Sequence, residues 1–247
     1  MEANRAACMG FVLREEGGYG NDPRDPGGET RFGISKRSHP HLDIAALTEA
    51  DAIALYTANE WRTLACAALP AGLDLVAFDA GVNSGVTRSA RWLQGALRVA
   101  ADGRIGPVTL AAAQAQPALP VIEAACATRM AFLRGLRTFA AFGRGWTARV
   151  ARVEARATAM AVAAAGVDPR PVLAARAAAA ESAARARTTR ATASLGTGGL
   201  VAGAAPLPHW ALAALVAITV AVAVLLILKR RQDRARAAAF RIEGDLT

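Results

Sequence analysis

Nineteen consecutive residues without a charge, Trp210 to Leu228 (WALAALVAITVAVAVLLIL), constrain this chain more than any other segment. As a helix rising about 1.5 Å per residue they reach roughly 28 Å, close to the hydrocarbon thickness of a bilayer. Trp210 stands at one edge, and Lys229, Arg230, Arg231, Arg234 and Arg236 follow the other. A segment of this kind is expected to cross a membrane once. The positive-inside rule then puts the C-terminus in the cytoplasm and residues 1–209 on the far side. The beginning of the chain, MEANRAACMGFVLREEGGYG, shows no secretory signal, because charges arrive early and no long apolar region follows.

The rest of the chain points to helices. Alanine supplies 63 of the 247 residues, and 27 of the 29 basic residues are arginine. Alanine favours helix and adds little to a core, so an all-β fold is excluded, as are collagen-like and wholly disordered classes. The aromatic residues lie mostly before residue 147, which places one globular domain in the first 150 residues. Residues 1–149 carry 16 basic and 14 acidic groups, whereas residues 150–247 carry 13 basic and 6 acidic ones. The positive excess therefore belongs to the tail, and no nucleic-acid-binding signature accompanies it. Cys8, Cys66 and Cys126 are odd in number and far apart, which reads as buried free thiols. His39 and His41 flank Pro40 and make a poor ligand pair, so no metal is expected.

Periodicity places helices at 3–16, 72–82, 87–99, 107–115, 120–138 and 147–165, with a short strand near Arg31–Ile34. Thr48-Glu-Ala-Asp51 has the form of a capping box, opening a helix through Ile53, Tyr56 and Trp61. From 166 to 208 the texture changes. Residues 174–187 (AARAAAAESAARAR) show no apolar stripe, and Thr, Gly, Ser, Ala and Pro gather from 192 on, so a partly helical and then flexible tether is expected.

The chemistry concentrates between Leu13 and Ser35, LREEGGYGNDPRDPGGETRFGIS. Glu16 continues the apolar face of Met9, Val12 and Leu13, while Glu15 points about 100° away. A carboxyl on the buried side of a helix end is partly desolvated, as a general acid requires. The following Gly- and Pro-rich loop brings Asp25, Glu29 and Thr30 within reach. An acid facing a polar group that can hold a water is the minimum apparatus for cleaving a glycosidic bond. On the residues alone a second reading stands beside this one: a solvated helix-terminal Glu16 and a plain Asp25-Pro-Gly-Gly turn.

The run EGGYGNDPRDPGGETRFGIS resembles the signature of glycoside hydrolase family 108, a group of peptidoglycan-cleaving N-acetylmuramidases found among phage endolysins and secretion-associated lysozymes. The resemblance implies that Glu16 is the catalytic acid, with Gly17, Gly18 and Tyr19 completing its motif and Asn21, Asp25, Gly27, Gly28, Thr30 and Gly33 fitting the loop. It extends through Phe78-Asp79, Val82-Asn83-Ser84-Gly85 and Leu93-Gln94. Asp102-Gly103 and Ile105-Gly106-Pro107 resemble the associated peptidoglycan-binding module, and Gly145-Trp146 with Arg149 matches a closing element. The order Glu16, Asp25, Thr30 is also similar to that of phage-type lysozymes. It implies a mainly α, lysozyme-like fold of two lobes, and gives Asp25 two readings: a water-positioning carboxylate or an Asx-turn residue ordering the loop.

The resulting organisation is a muramidase part at 1–86, a peptidoglycan-binding helical module at 87–150, a tether at 151–208, a transmembrane helix at 209–229 and a basic cytoplasmic tail at 230–247. The expected catalytic residues are Glu16, Asp25 and Thr30. Tyr19, Gly17, Gly18 and Asn83 are expected to bind substrate, and Trp61 is offered either to a sugar face or to the core. The expected partners are peptidoglycan glycan strands, the bilayer through 210–228 and a holin-type pore protein serving export, with no nucleic acid and no cofactor. The expected location is the bacterial inner membrane with the N-terminal domain periplasmic. Two alternatives use the same residues differently: a lytic transglycosylase acting on the same bond, and a wall-binding anchor without turnover.

Overall fold

The computed structural model describes residues 2–21, 28–200 and 209–247, and these are mainly helical. Helix α1 (Glu2–Glu16) leads into three two-residue strands, β1 (Tyr19–Gly20), β2 (Thr30–Arg31) and β3 (Ile34–Ser35). They form an antiparallel sheet in chain order, with Tyr19 opposite Arg31 and Thr30 opposite Ser35. Helix α2 (Glu49–Tyr56) starts at the expected capping box: the Thr48 hydroxyl accepts from the Asp51 amide, and the Asp51 carboxylate accepts from the Thr48 amide. The helix continues as a π-helical turn, Thr57–Trp61. Helices α3 (Leu73–Ser84), α4 (Val86–Ala96), α5 (Pro107–Ala115), α6 (Ala118–Arg134) and α7 (Phe139–Ala164) follow.

Helix α3 is the axis. Every residue from Leu73 to Gly81 is buried, the pattern of a helix covered on all sides. Phe78 meets Trp61 edge to face at 5.4 Å, and Tyr56 at 6.2 Å. Trp61 is 2% exposed, so it belongs to the core and not to a sugar face. Helix α7 crosses the start of α3 so closely that a Cβ at Gly72 (φ +86°) would lie 2.3 Å from the Ala157 carbonyl oxygen, which only glycine permits. One hydrophobic core joins Cys8 on α1 to Ala157 on α7 and includes Leu93, Ile122 and Met130. Gln94 is buried beside it and organises the loop before α5, donating to Asp102 and the Arg104 carbonyl and accepting from the Gly103 amide. The three cysteines are buried free thiols.

The C-terminal part departs from the sequence expectation. Helix α8 (Pro169–Leu200) runs through most of the stretch read as a tether. Its inward face is Leu173, Ala177, Ala180 and Ala184, a stripe at helical spacing made almost wholly of alanine. Helix α9 (His209–Leu246) does not end at Leu228 but carries on through the basic segment. Among the described residues no helix is long and apolar enough to cross a membrane. This overturns the transmembrane helix at 209–229. The bilayer contact, the inner-membrane location and the separate cytoplasmic tail at 230–247 fall with it. The physical reason lies in where the basic residues go. Arg236 pairs with Glu154 of α7, Glu243 accepts from Arg156, and Phe240 is 1% exposed in a cluster with Ala151, Ala155, Ala159 and Leu173. Val216, Ile218 and Val220 stay exposed. Of the positive charges following the apolar run, Arg236 answers the buried Glu154 of α7, so its place after the run has a packing explanation.

Candidate active site

Glu16 is the last residue of α1, and the chain reverses after it at Gly17, whose amide still reaches the Leu13 carbonyl at 3.3 Å. The β2–β3 hairpin comes back over the helix end. Its turn residues Phe32 and Gly33 both have positive φ, +52° and +76°, the requirement of the tight hairpin turn that follows strand twist. Tyr56 of α2 holds the turn down by donating its hydroxyl to the Phe32 carbonyl at 2.7 Å. Gly33 then lies directly against the acid. A Cβ there would sit 2.6 Å from Glu16 Oε2 and 2.7 Å from the Tyr56 hydroxyl, so turn, carboxyl and phenol meet at one point.

From below, Glu16 is held by an ion chain. Arg149 of α7 donates to Glu16 Oε1 at 2.7 Å and, through Nε, to Asp79 Oδ1 at 2.9 Å. Arg129 of α6 closes on the other Asp79 oxygen and reaches Asn83 Oδ1 at 3.1 Å. Asp79 is fully buried. Burial pushes its carboxyl up, but the guanidiniums of Arg129 and Arg149 outweigh that and hold it below the usual carboxylate range. Glu15, expected to point away, is also turned to α7 and is clamped by two 2.6 Å bonds from Arg152. The row Arg149, Arg152, Arg156 along α7 thus binds Glu16, Glu15 and Glu243 in turn.

The expected site residues separate into three groups. Glu16, Gly17 and Gly18 lie at the α1 end, and Asn83 joins the same ion chain from α3. Tyr19 and Thr30 sit on the small sheet: Tyr19 is exposed and donates to Glu29 at 2.9 Å, and the Thr30 hydroxyl donates to the Gly28 carbonyl at 3.1 Å. Asp25 lies outside the described residues. Among the described residues no group of three or more His, Cys, Asp or Glu forms a metal-binding cluster.

Arg129 and Glu60 were not singled out from sequence, and Asp79 was named only within the family resemblance, without a role. Asp79 carried a signal as one of two carboxylates, with Asp74, in the apolar run LDLVAFDAGV, since a buried carboxylate needs a cation or several donors. Glu60 stands one helical turn beyond Tyr56, in the π-helical turn, against α3 at Gly81. Its Oε2 is buried without a hydrogen-bond partner. Burial, helped by the Glu16 charge, pushes the Glu60 carboxyl up to about 7.

A family model described as glycosyl hydrolase 108 matches residues 9–85. A solved structure of Brucella abortus SagA is 39% identical, with a TM-score of 0.60; the match covers 65% of this chain and 97% of that one. No curated protein is matched.

Proposed function

The chain belongs to glycosyl hydrolase family 108, and we propose from that premise that it hydrolyses the bond between N-acetylmuramic acid and N-acetylglucosamine in peptidoglycan, with Glu16 as general acid. The observation that carries this reading is the placement of Glu16 at the junction of helix, hairpin turn and Arg149. Protonated Glu16 gives its proton to the glycosidic oxygen as the bond to the sugar carbon breaks. Water supplies hydroxide to the oxocarbenium-like carbon and its proton leaves to solvent, so bond plus water become two hydroxyl groups. The carboxylate left on Glu16 is met by the Arg149 guanidinium, whose own orientation is set by Asp79. Thr30 beside the Gly28 carbonyl, together with Asp25, positions the water. Tyr19, Gly17, Gly18 and Asn83 contact the glycan. Residues 87–150 grip the strand, and the core they share with residues 1–86 ties that grip rigidly to Glu16.

The products distinguish hydrolysis from transglycosylation. The full chain acting on purified peptidoglycan is expected to release muropeptides with free, reducible N-acetylmuramic acid ends. Mass spectrometry before and after borohydride treatment reads this directly. Anhydro products, lighter by one water, contradict hydrolysis and make the protein a lytic transglycosylase. Wall binding with no product makes it an anchor.

A further inference from the structure

Helices α7 and α9 lie side by side, and Ala151, Ala155 and Ala159 of α7 pack there with Ala239 and Phe240 of α9. Nearer the start of α7 a cavity of about 700 Å³ opens between Phe139, Gly143 and Arg144 of α7 and Leu228, Arg231 and Arg234 of α9. Its apolar wall is fixed, because the Phe139 ring lies across Gly143, where a Cβ would be 2.8 Å from three ring carbons. No Asp or Glu is among the described residues that line it. Other arginines of these helices are answered: Arg149, Arg152 and Arg156 by Glu16, Glu15 and Glu243, and Arg236 by Glu154. Arg144, Arg231 and Arg234 are exposed, and among the described residues none of them makes an ion pair or a side-chain hydrogen bond. Three guanidiniums around one space repel each other, and an anion placed between them removes that cost. Their planar forks suit carboxylates. The Phe139 and Leu228 side chains beside them suit an anion with apolar spacers, whereas a bare phosphate leaves that wall uncovered. Arg144 lies about 140° round α7 from Arg149, so the cavity opens away from Glu16. It also lies beyond residues 9–85, which the family model matches.

We propose that this cavity binds the carboxylates of a peptidoglycan stem peptide, a wall contact separate from the cleavage site. This rests on the reading of peptidoglycan as the substrate. Stem peptides have the chemistry the cavity asks for: they are short and carry free carboxylates spaced by methyl and methylene groups. Arg231 and Arg234, neighbours three residues apart on α9, take one carboxylate, and Arg144 takes another from the α7 side. The peptide is held while Glu16 works elsewhere on the glycan, so the contact lowers KM and leaves kcat unchanged.

The test compares the full chain with a double variant, Arg231→Ala with Arg234→Ala. The probe is the stem peptide cut from purified peptidoglycan by an amidase, titrated in a calorimeter. The wild type is expected to bind it about tenfold more tightly than the variant, the scale of two solvent-accessible ion pairs. Wild-type binding is expected to weaken as salt is added, and to vanish when the peptide carboxyls are amidated. On intact peptidoglycan the variant is expected to show a raised KM at unchanged kcat, and on glycan strands stripped of peptide the two proteins are expected to cleave alike. Equal affinity in wild type and variant overturns the proposal, and so does an equal loss of cleavage on stripped strands. A wild type that binds pyrophosphate but not the stem peptide makes the cavity a phosphate site and overturns it too. Should the double variant fail to fold, wild-type binding that survives amidation or is indifferent to salt overturns the proposal by itself. A wild type that binds the peptide yet cleaves no wall refutes the glycosidase reading and leaves the cavity's role standing. One that cleaves the wall and binds no stem peptide refutes this proposal alone.

Discussion

Asp79→Ala is expected to lower folding stability by about 3–5 kcal/mol, the cost of breaking a buried ion pair and leaving its partner uncompensated. Asp79 is 0% exposed and satisfies two arginines at once, Arg129 at 3% exposure and Arg149. Removing the carboxylate strands both guanidiniums inside the core and frees Arg149 from its orientation, so Glu16 loses its anchor in the same step. Urea unfolding at neutral pH measures the effect. A loss below about 1 kcal/mol, the worth of an exposed pair, contradicts the role given to this chain of charges. The pH dependence has a definite sign. The carboxyl of Asp79 is held below its ordinary value, so its contribution is complete above that ordinary value and fades as pH falls through the lowered one. The gap between wild type and variant should therefore narrow in acid.

Gly33→Ala is expected to reduce glycan cleavage by about 100-fold, the scale set by a misplacement of roughly 1 Å at a reacting group. The added methyl would lie 2.6 Å from Glu16 Oε2 and 2.7 Å from the Tyr56 hydroxyl, so the acid or the hairpin turn must move. The residue also sits at φ +76°, where an L side chain costs about 1–2 kcal/mol. Gly166 separates the two effects: it has φ +75° and nothing within 4 Å of a built Cβ. Gly166→Ala carries the backbone strain alone and is expected to melt lower while cleaving at the wild-type rate. Equal activity loss in both alanine variants contradicts the steric account of Gly33.

Much of this was legible in local patterns. Helix spacing located α1 and α3 through α6 to within a few residues, α7 starts eight residues before its expected 147, and the Thr48–Asp51 box lies where its form placed it. The contrast expected between an inward Glu16 and an outward Glu15 is absent, because both turn to arginines of α7, Glu15 at 11% and Glu16 at 17% exposure. The single strand expected near Arg31–Ile34 is a hairpin, with Arg31 opposite Ile34 across a turn at Phe32–Gly33, since two-residue strands leave little alternation to read. What stayed hidden depends on distance along the chain. Glu16 and Arg149 are 133 residues apart and Asp79 and Arg129 are 50 apart, pairings no local window contains. Helix α8 was hidden for another reason: its buried stripe is alanine, which also fills its exposed faces, so composition erased the contrast that periodicity needs. The apolar run in α9 misled because charge following a hydrophobic stretch has two explanations. Arg236 pairs with Glu154 of α7 and Glu123 of α6, so its charge is explained by packing within the chain.

The most direct test of Glu16 sets the full chain beside Glu16→Gln on purified peptidoglycan, with released reducing ends counted and both proteins melted under the same conditions. The expected result is a loss of roughly 10²–10⁴-fold in Glu16→Gln, the contribution of a positioned general acid, with the melting temperature near that of the wild type because glutamine keeps an acceptor for Arg149. A Glu16→Gln protein that folds and still releases reducing ends at the wild-type rate would contradict the assignment of the acid to Glu16.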